Sequence, residues 1–193
     1  MTNILLINGH PDPDPGHFCA ALCEAYASGA REAGHQVSRL DAGAIELEFL
    51  KNQAEFSSAP SGAVAEAQAA VSAADHLVLI YPLWLGTMPA KLKAFLEQLG
   101  RQNFFLETVK DGGRWPAQKM KGKSARIVVT MGMPGLAYRL VFGGHSLKAL
   151  EKGILGISGF KPVRDTVFGM VEGSAERRAS MLEKMTTLGR KGA

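Results

Sequence analysis

Two histidines stand seven positions apart in the segment NGHPDPDPGHFCAAL, residues 8–22. An apolar run precedes this segment and a helical pattern follows it, so it connects a strand to the start of a helix. Helix amino ends bind anions through free backbone N–H groups and the helix dipole. Gly16 permits close backbone approach, and His10 and His17 can donate to phosphate oxygens. The segment indicates a phosphate site, although neither a GxGxxG nor a Walker pattern is present; the alternative is a rigid, proline-set turn capped by Asp14.

Two further segments contain no acid, base or nucleophile, yet both follow predicted strands. They are YPLWLGTM, residues 81–88, and TMGMPGLAY, residues 130–138. Gly132, Pro134 and Gly135 predict a tight backbone turn in the second of them. In α/β proteins the functional residues usually lie at the carboxyl ends of the strands. Because these two segments lack ionisable groups, we expect them to bind a ligand through backbone groups and apolar side chains.

The three segments together describe a site for a flat, neutral heterocycle that carries a phosphate. Amide N–H groups would bind its polar edges, and Trp84 or Leu85 would cover a face. Flavin meets that description, because its own ring carries the redox chemistry while the protein orients and polarises it. The alternative for Trp84 is core packing.

The stretches YPLWLGTMPAKLKAFLEQL and VVTMGMPGLAY resemble the flavin loops of the NAD(P)H:quinone oxidoreductase family. These are flavodoxin-like-fold reductases that include DT-diaphorase. The GHP that follows the first strand and the segment FGGHSLKALEKGILGISGF are similar to that family too. The resemblance covers about residues 3–170, and its most specific part is Pro-Leu-Trp followed by Pro-Ala-x-Leu-Lys.

The resemblance implies three groups of cofactor-binding residues. The group around the flavin phosphate and ribityl chain is His10, His17, Phe18 and Cys19. The group lining the isoalloxazine ring is Pro82, Leu83, Trp84 and Leu85. The group on the pyrimidine side is Thr130, Met131, Gly132 and Met133.

The resemblance further implies that Tyr138 and His145 are catalytic and face the ring and the bound quinone. Such a pair can stabilise negative charge that appears at N1 and O2 when hydride reaches N5. His145 aligns with its counterpart after a shift of one residue, and the alternative for it is a structural histidine. The phosphate segment departs from the family pattern because it has no Ser or Thr between Asn8 and His17.

The activity implied is that of an NAD(P)H dehydrogenase (quinone), in which a flavin takes hydride from NADH or NADPH and passes two electrons to a quinone-like acceptor. FAD is placed ahead of FMN as the cofactor. One alternative is a flavodoxin-type electron carrier, against which the net charge of +4 argues. Another is a regulatory flavoprotein subunit of a membrane transporter, a role that some relatives have.

Five aliphatic runs must position these segments: residues 3–8, 36–40, 76–81, 125–130 and 162–168. Near-continuous apolar runs are typical of parallel strands buried on both faces. Helical patterns separate them, including one that begins at Pro89. The sequence therefore predicts a flavodoxin-like, doubly wound α/β sheet of order 2-1-3-4-5, with the ligand at the carboxyl ends of strands 1, 3 and 4.

Two connections, residues 47–60 and 101–123, are longer than usual, and such connections are usually functional lids, interface pieces or disordered segments. In the second, apolar side chains lie outside the core pattern and predict a homodimer interface. They are Phe104, Phe105, Leu106 and Trp115. In relatives the second subunit completes the active site.

The chain has 193 residues, of which 46% are hydrophobic and 21% charged, which predicts one flavin-binding domain over residues 1–193. The charge of +4 is spread along the chain without a recognition motif, so we expect no nucleic-acid partner. We also expect no signal peptide, membrane span or metal site. Cys19 and Cys23 fit core packing in a reducing, cytoplasmic setting.

Overall fold

The computed structural model describes residues 1–107 and 116–193. Its main sheet has five parallel strands in the order β2-β1-β3-β6-β7. Their bounds are β1 Asn3–Asn8, β2 Gln36–Asp41, β3 His76–Pro82, β6 Ser124–Met131 and β7 Val163–Gly169. Two residues each form the antiparallel strands β4, Leu106–Glu107, and β5, Ala117–Gln118. The predicted flavodoxin-like order is confirmed, because β6 and β7 are the fourth and fifth strands of the main sheet.

Helices cover both faces of this sheet. Their bounds are α1 Phe18–Glu32, α2 Gln53–Ser57, α3 Gly62–Ala73, α4 Ala90–Leu99, α5 Gly135–Leu140, α6 His145–Lys148 and α7 Ala175–Arg190. A 3-10 turn spans Ala42–Ala44, and a π-helix, Ala149–Gly156, continues α6. Among the described residues, no helix combines the length and apolar character needed to cross a bilayer.

The core has two layers because successive side chains of a strand point to opposite faces. Leu5 and Ile7 of β1 belong to the layer that contains Phe95 of α4. Ile4 and Leu6 belong to the layer beneath α1 and α7. Every residue from Ile4 to Asn8 is therefore buried, which explains why the sequence shows a continuous apolar run and no alternation.

Glycines allow α1 to pack directly on α7. A Cβ atom on Gly29 would lie 2.0 Å from the carbonyl oxygen of Thr186, and one on Gly189 would lie 2.0 Å from that of Tyr26. The two helix backbones are thus in contact, and α1 is held firmly against the sheet. The amino end of α1, which lies at the carboxyl edge of the sheet, is positioned by this packing.

The tight turn predicted within residues 130–138 is present and spans residues 132–134, because β6 continues to Met131 and α5 begins at Gly135. Another local expectation was wrong. Phe105 is buried in the core, and Phe104 and Leu106 pack against it, so this segment does not expose the apolar surface on which the dimer was predicted. Trp115 lies outside the described residues.

Candidate functional site

Three loops lie side by side at the carboxyl edge of the sheet, where adjacent strands β1, β3 and β6 end. We call residues 9–17 loop 1, residues 83–89 loop 2 and residues 132–134 loop 3. The N–H of Gly9 donates to the carbonyl oxygen of Ile80 at 2.7 Å, and that of Leu83 donates to Thr130 at 2.8 Å. These bonds continue the strand pairing into the loops and fix their positions relative to one another.

Loop 1 is a chain of short side-chain-to-backbone turns. The carboxylate of Asp12 accepts from the N–H of Asp14 at 3.0 Å, and that of Asp14 accepts from Gly16 at 2.8 Å. The Asp12 carboxylate also lies 2.9 Å from Nε2 of His17. The hydrogen bond from His17 is the main cause that lowers the pKa of Asp12, followed by the N–H of Asp14. Loop 1 is thus rigid although its tip is exposed.

The two histidines of loop 1 meet above the amino end of α1. The rings of His10 and His17 are stacked with centroids 3.8 Å apart, and His10 also contacts the ring of Trp84 edge-on at 5.9 Å. Nδ1 of His10 lies 2.9 Å from the carbonyl oxygen of Asp12. Nε2 of His10 and Nδ1 of His17 have no partner among the described residues. Both nitrogens of an imidazolium donate, so in their protonated form the two rings can donate to one anion.

The first turn of α1 offers backbone donors at the same place. His17 is the N-cap and makes no side-chain capping bond. The N–H groups of Phe18 and Cys19 have no acceptor among the described residues, as is usual for the first turn of a helix. A phosphate could bind here to the free amides and the two imidazole rings. The positive end of α1, a helix of 15 residues, would also attract it.

The side chain of Cys19 faces away from that donor set. Its Sγ is buried and lies 3.6 Å from the hydroxyl of Thr130. Burial raises the pKa of this thiol to about 11, and the Thr130 hydroxyl opposes the shift. Cys19 therefore offers its backbone N–H to a ligand. Thr130 is buried, its hydroxyl contacts Cys19, and its carbonyl accepts from loop 2.

Loop 2 contains a hairpin turn of two central residues. Trp84 and Thr87 exchange N–H to O bonds of 2.8 and 3.0 Å. Leu85 and Gly86 between them have φ angles of +47° and +81°, which is the pattern of a type I′ turn. Leu85 is fully exposed and Trp84 is half exposed. The turn thus presents one aromatic and one aliphatic side chain above the strand ends.

The other residues predicted to line the ring are less accessible. Pro82 ends β3 and is half-buried, and Leu83 packs against the core. The N–H groups of Leu85 and Gly86 have no acceptor among the described residues. Loop 2 therefore combines an apolar tip with free backbone donors.

Loop 3 presents its backbone. The carbonyl groups of Met131 and Met133 accept from residues after β7, while the N–H groups of Gly132 and Met133 have no acceptor among the described residues. Gly132 is exposed and its φ is not positive. The nearest atom to a Cβ built there is Oε1 of Glu172, at 3.8 Å. A side chain at this position would thus fit the fold but would cover the free N–H groups.

Tyr138 and His145 lie on neighbouring helices, in different environments. Tyr138 is 2% exposed, and its hydroxyl accepts from the N–H of Leu147 at 3.2 Å. His145 is exposed at the start of α6. A Cβ on Gly143, whose φ is +64°, would lie 2.5 Å from Nε2 of His145, so the ring lies against this glycine. The roles of Tyr138 and His145 stay predictions.

Sequence reasoning missed a cluster of hydroxyl groups beneath loop 2, in which Tyr81 and Ser146 are buried and Thr87 is exposed. Ser146 of α6 donates to the hydroxyl of Thr87 at 3.3 Å and so connects the His145 segment to the turn. The Tyr81 hydroxyl lies near Ser146 but has no hydrogen-bond partner of good geometry. Burial raises the pKa of Tyr81. No sequence signal marks this cluster, because Ser146 is far in sequence from residues 81–88, which contain the other two members.

A second missed feature supports loop 1 from below. Asn8 donates to Asp41 at 2.8 Å and accepts from the N–H of His10 at 3.2 Å, while Arg39 binds the same carboxylate of Asp41. Asn8 and Asp41 are partners in the register of β1 and β2. Both are the last residues of their strands, and the predicted order placed those strands side by side, so this contact could have been found from the sequence.

Comparison with known proteins decides the family. The sequence matches the family described as flavodoxin-like fold over residues 2–188. This chain belongs to the flavodoxin-like fold family. A search of curated proteins gave no match.

The chain is also similar to solved structures over nearly its whole length. Smu.1420 from Streptococcus mutans is 26% identical with a TM-score of 0.81, over 98% of this chain and 99% of that one. An NAD(P)H:quinone oxidoreductase from Methanothermobacter marburgensis is 22% identical with a TM-score of 0.82, over 98% of both chains. An FMN-dependent NADH-azoreductase from Bacillus anthracis is 12% identical with a TM-score of 0.76, over 99% of both chains.

The family predicted from the sequence is confirmed, and neighbours of this flavodoxin-like chain are named as oxidoreductases. The preference for FAD over FMN is not supported, since the cofactor named for one of these neighbours is FMN. Among residues 1–107 and 116–193, no three His, Cys, Asp or Glu side chains converge as a metal site.

The residues at the carboxyl edge fit a flavin mononucleotide. The amides of Phe18 and Cys19 with the two stacked histidines suit its phosphate, and free N–H groups of loops 2 and 3 suit the polar edge of its ring. The exposed Trp84 suits the face of the ring. The fit of the site to this cofactor thus depends on hydrogen-bond donors and on the aromatic surface of Trp84, and it requires no charged side chain at the flavin ring.

Proposed function

We propose that this protein is an FMN-dependent NAD(P)H oxidoreductase that reduces a quinone or a similar acceptor by two electrons. The observation that carries the proposal is a convergence at the carboxyl edge of the sheet. The free N–H groups at the start of α1 lie there beside two loops with free backbone N–H groups and the half-exposed Trp84. Bound FMN would supply the redox chemistry, which is the transfer of two electrons from the nicotinamide to the acceptor.

The chain binds and orients the cofactor. His10 and His17 donate to its phosphate, and the dipole of α1 lowers the free energy of the bound dianion. The amides of Gly132 and Met133 donate to the pyrimidine edge. These fixed dipoles would stabilise negative charge on a bound ring, because they need not reorient.

Tyr138 and His145 are proposed to act on the same negative charge. His145 is exposed. The hydrogen bond from its neighbour Ser146 to Thr87 holds it next to loop 2. Tyr138 supports it from beneath, since its carbonyl accepts from Gly144 at 3.1 Å and its hydroxyl accepts from Leu147. Trp84 and Leu85 would cover one face of a bound ring. Nicotinamide and acceptor would use one place in turn, so ping-pong kinetics are expected.

The proposed oligomer is a homodimer that covers the apolar surface beside this site. Exposed apolar side chains follow loop 3 and occupy loop 2. They are Trp84, Leu85, Leu136, Leu140, Val141 and Phe142. A patch of this kind on one side of a binding site is typical of an interface.

The test begins with cofactor identity. The purified protein is heated, and the released yellow compound is identified by chromatography; FMN at one per chain is the expected result. The holoprotein is then mixed anaerobically with NADH or NADPH, and next with a water-soluble benzoquinone or an azo dye. Reduction by either nucleotide followed by reoxidation by the acceptor supports the proposal. A protein that binds flavin but is reduced by neither nucleotide is an electron carrier, and the proposed activity is then wrong.

A further inference from the structure

A cluster of basic side chains lies at the amino edge of the sheet, the edge opposite to loops 1, 2 and 3. His76 begins β3, Ser124 begins β6, and the register pairs these two residues. Arg126 is paired with Arg164 of β7 in the same way. Since side chains two apart on a strand share a face, these four point to the face covered by α1 and α7.

Arg126 is a buried charge without a counter-ion. It is 6% exposed, its Nη1 donates to the hydroxyl of Thr166 at 2.8 Å, and its Nε has no partner. Asp165 interacts with Arg126 only through a weaker electrostatic effect. Its side chain points to the other face of the sheet and forms an ion pair with Arg139. Among the described residues neither Arg126 nor Arg164 has an ion-pair partner. Buried charges are ordinarily paired.

His76 is also unsatisfied. It is 4% exposed, its Nδ1 lies 2.7 Å from the Ser124 hydroxyl, and its Nε2 has no partner. When Ser124 donates to Nδ1, the proton of the neutral ring is on Nε2, which is then a buried donor. Burial, followed by the charges of Arg126 and Arg164, lowers the pKa of His76 to about 4. The ring therefore donates without carrying a charge at neutral pH.

A small cavity adjoins these donors. Its volume is about 90 Å³, and its lining comprises His76, Ser124, Ala125, Pro162, Arg164, Gly192 and Ala193. Arg164 is exposed at the cavity. β3 has seven residues, so at about 3.3 Å per residue the cavity is roughly 20 Å from the loops at the carboxyl edge.

We propose that this cavity is a binding site for a small inorganic oxyanion of the sulfate or phosphate class. Arg164 and Nε2 of His76 donate to the anion, Ser124 holds the imidazole in the required tautomer, and Arg126 supplies a second positive charge from behind. The anion offsets the repulsion between two guanidinium groups on one face, which a neutral water molecule cannot do. The cavity volume excludes nucleotides and other large phosphate esters. This site does not depend on the proposed flavin chemistry.

The test measures thermal unfolding of the full-length protein while sodium sulfate replaces sodium gluconate at constant ionic strength. The midpoint Tm should rise saturably, by about 3–6 °C when sulfate is about tenfold above half-saturation. Arg164→Gln should raise the half-saturating concentration about tenfold or more. Arg178→Gln is the control: it also removes one positive charge, but near the start of α7, whereas the cavity lies beside the end of α7. Its dependence of Tm on sulfate concentration should equal that of the parent protein. A linear rise shared by all three proteins would be general sulfate exclusion from protein surfaces, and the site would not exist.

Two more variants keep the result unambiguous. Loop 1 is a second place for sulfate, so the titrations are repeated in His17→Gln, where the component that depends on Arg164 should persist. Its loss in His17→Gln would place the anion in loop 1 and overturn the proposal. Arg126→Met removes the buried charge with little change in volume; it should fold with an unchanged or higher Tm in gluconate and respond more weakly to sulfate than the parent protein. An undiminished response in Arg126→Met would also overturn it.

Discussion

The imidazole rings of His10 and His17 stack at 3.8 Å between centroids, with 25° between their planes. Each ring keeps one nitrogen available beside the free amides of α1. His17→Gln should therefore weaken FMN binding while the fold is retained. Loss of one charge-assisted hydrogen bond corresponds to about 1.5–3 kcal/mol, or roughly 10- to 150-fold in Kd. The Kd is measured by the quenching of FMN fluorescence on titration with apoprotein, and the control is His35→Gln, at the opposite edge of the sheet. Equal Kd values for the parent protein and His17→Gln would mean that loop 1 does not bind the phosphate.

Gly132→Val should yield a folded protein that purifies without colour. Backbone strain is not the reason, because the φ of Gly132 is not positive and a Cβ built there meets only Glu172, at 3.8 Å. The branched side chain would instead cover the free N–H groups of loop 3. Thermal unfolding of the apoprotein should be close to that of the parent. Gly132→Ala should bind flavin more weakly than the parent and better than Val. A stoichiometric flavin content in Gly132→Val would show that loop 3 does not bind the ring.

Tyr138→Phe and His145→Gln should each slow flavin reduction by NAD(P)H while flavin content stays intact. Removing one donor to a developing negative charge costs roughly 10- to 1,000-fold in rate. Because both act on the same charge, the double variant should fall short of the product of the single effects. Anaerobic stopped-flow absorbance measures these rates. Unchanged rates in both single variants would leave them as residues that merely line the pocket.

Stability should separate these two variants as well. Tyr138→Phe leaves the buried N–H of Leu147 without its acceptor, which costs about 1–3 kcal/mol. His145 is exposed and its ring has no hydrogen bond to the described residues, so His145→Gln should leave the free energy of unfolding nearly unchanged. Urea denaturation of the apoproteins compares them. Equal stability would mean that Tyr138 does not anchor α6.

The pH dependence of stability should reveal His76. Its pKa is lowered from 6.5 to about 4 by burial and by neighbouring arginines, so between these values the unfolded chain binds more protons than the folded one. The free energy of unfolding should thus fall as pH falls through that window, by about 3 kcal/mol from this group. His76→Gln should flatten the profile there, whereas His145→Gln should not. Urea denaturation in gluconate buffers from pH 7 to 4 provides the measurement; parallel profiles for parent and His76→Gln would contradict it.

Charges placed in the apolar surface should dissociate the proposed dimer. Leu140→Glu combined with Phe142→Glu puts two carboxylates where two exposed apolar side chains lie, and like charges would face each other across a two-fold interface. Light scattering at micromolar concentration should report a monomer of reduced activity. Phe49→Glu, at another exposed phenylalanine, should remain dimeric. A parent protein that is a fully active monomer would end this proposal.

The main sheet could be predicted because its strands are buried on both faces. Five apolar runs identified all five strands of that sheet within two residues of their observed ends. The π-helix Ala149–Gly156 could not be predicted, since its i to i+5 bonding follows from packing rather than from residue types. The burial of Phe105 was missed for a related reason: a short antiparallel ribbon brings its segment back to the core.

The candidate site was predictable at the level of loops and less so at the level of side chains. The loops follow the strand ends, and their order depends only on topology. The direction of a side chain depends on the rotation of its helix, so Cys19 was placed near the phosphate while its Sγ faces Thr130. The amino-edge cluster required the register of β6 and β7, which pairs Arg126 with Arg164 and which sequence periodicity does not provide.

The turn of loop 2 has an implication for engineering. Leu85 has a φ of +47°, a conformation that Asn, Asp and Gly adopt with less strain than leucine does. Leu85→Asn should therefore raise the melting temperature of the apoprotein. It would also remove the exposed aliphatic tip beside Trp84 and make the proposed acceptor site more polar. A computational search for thermostable sequences would choose this substitution early, and at this position thermal robustness and the proposed turnover of apolar acceptors would have opposite requirements.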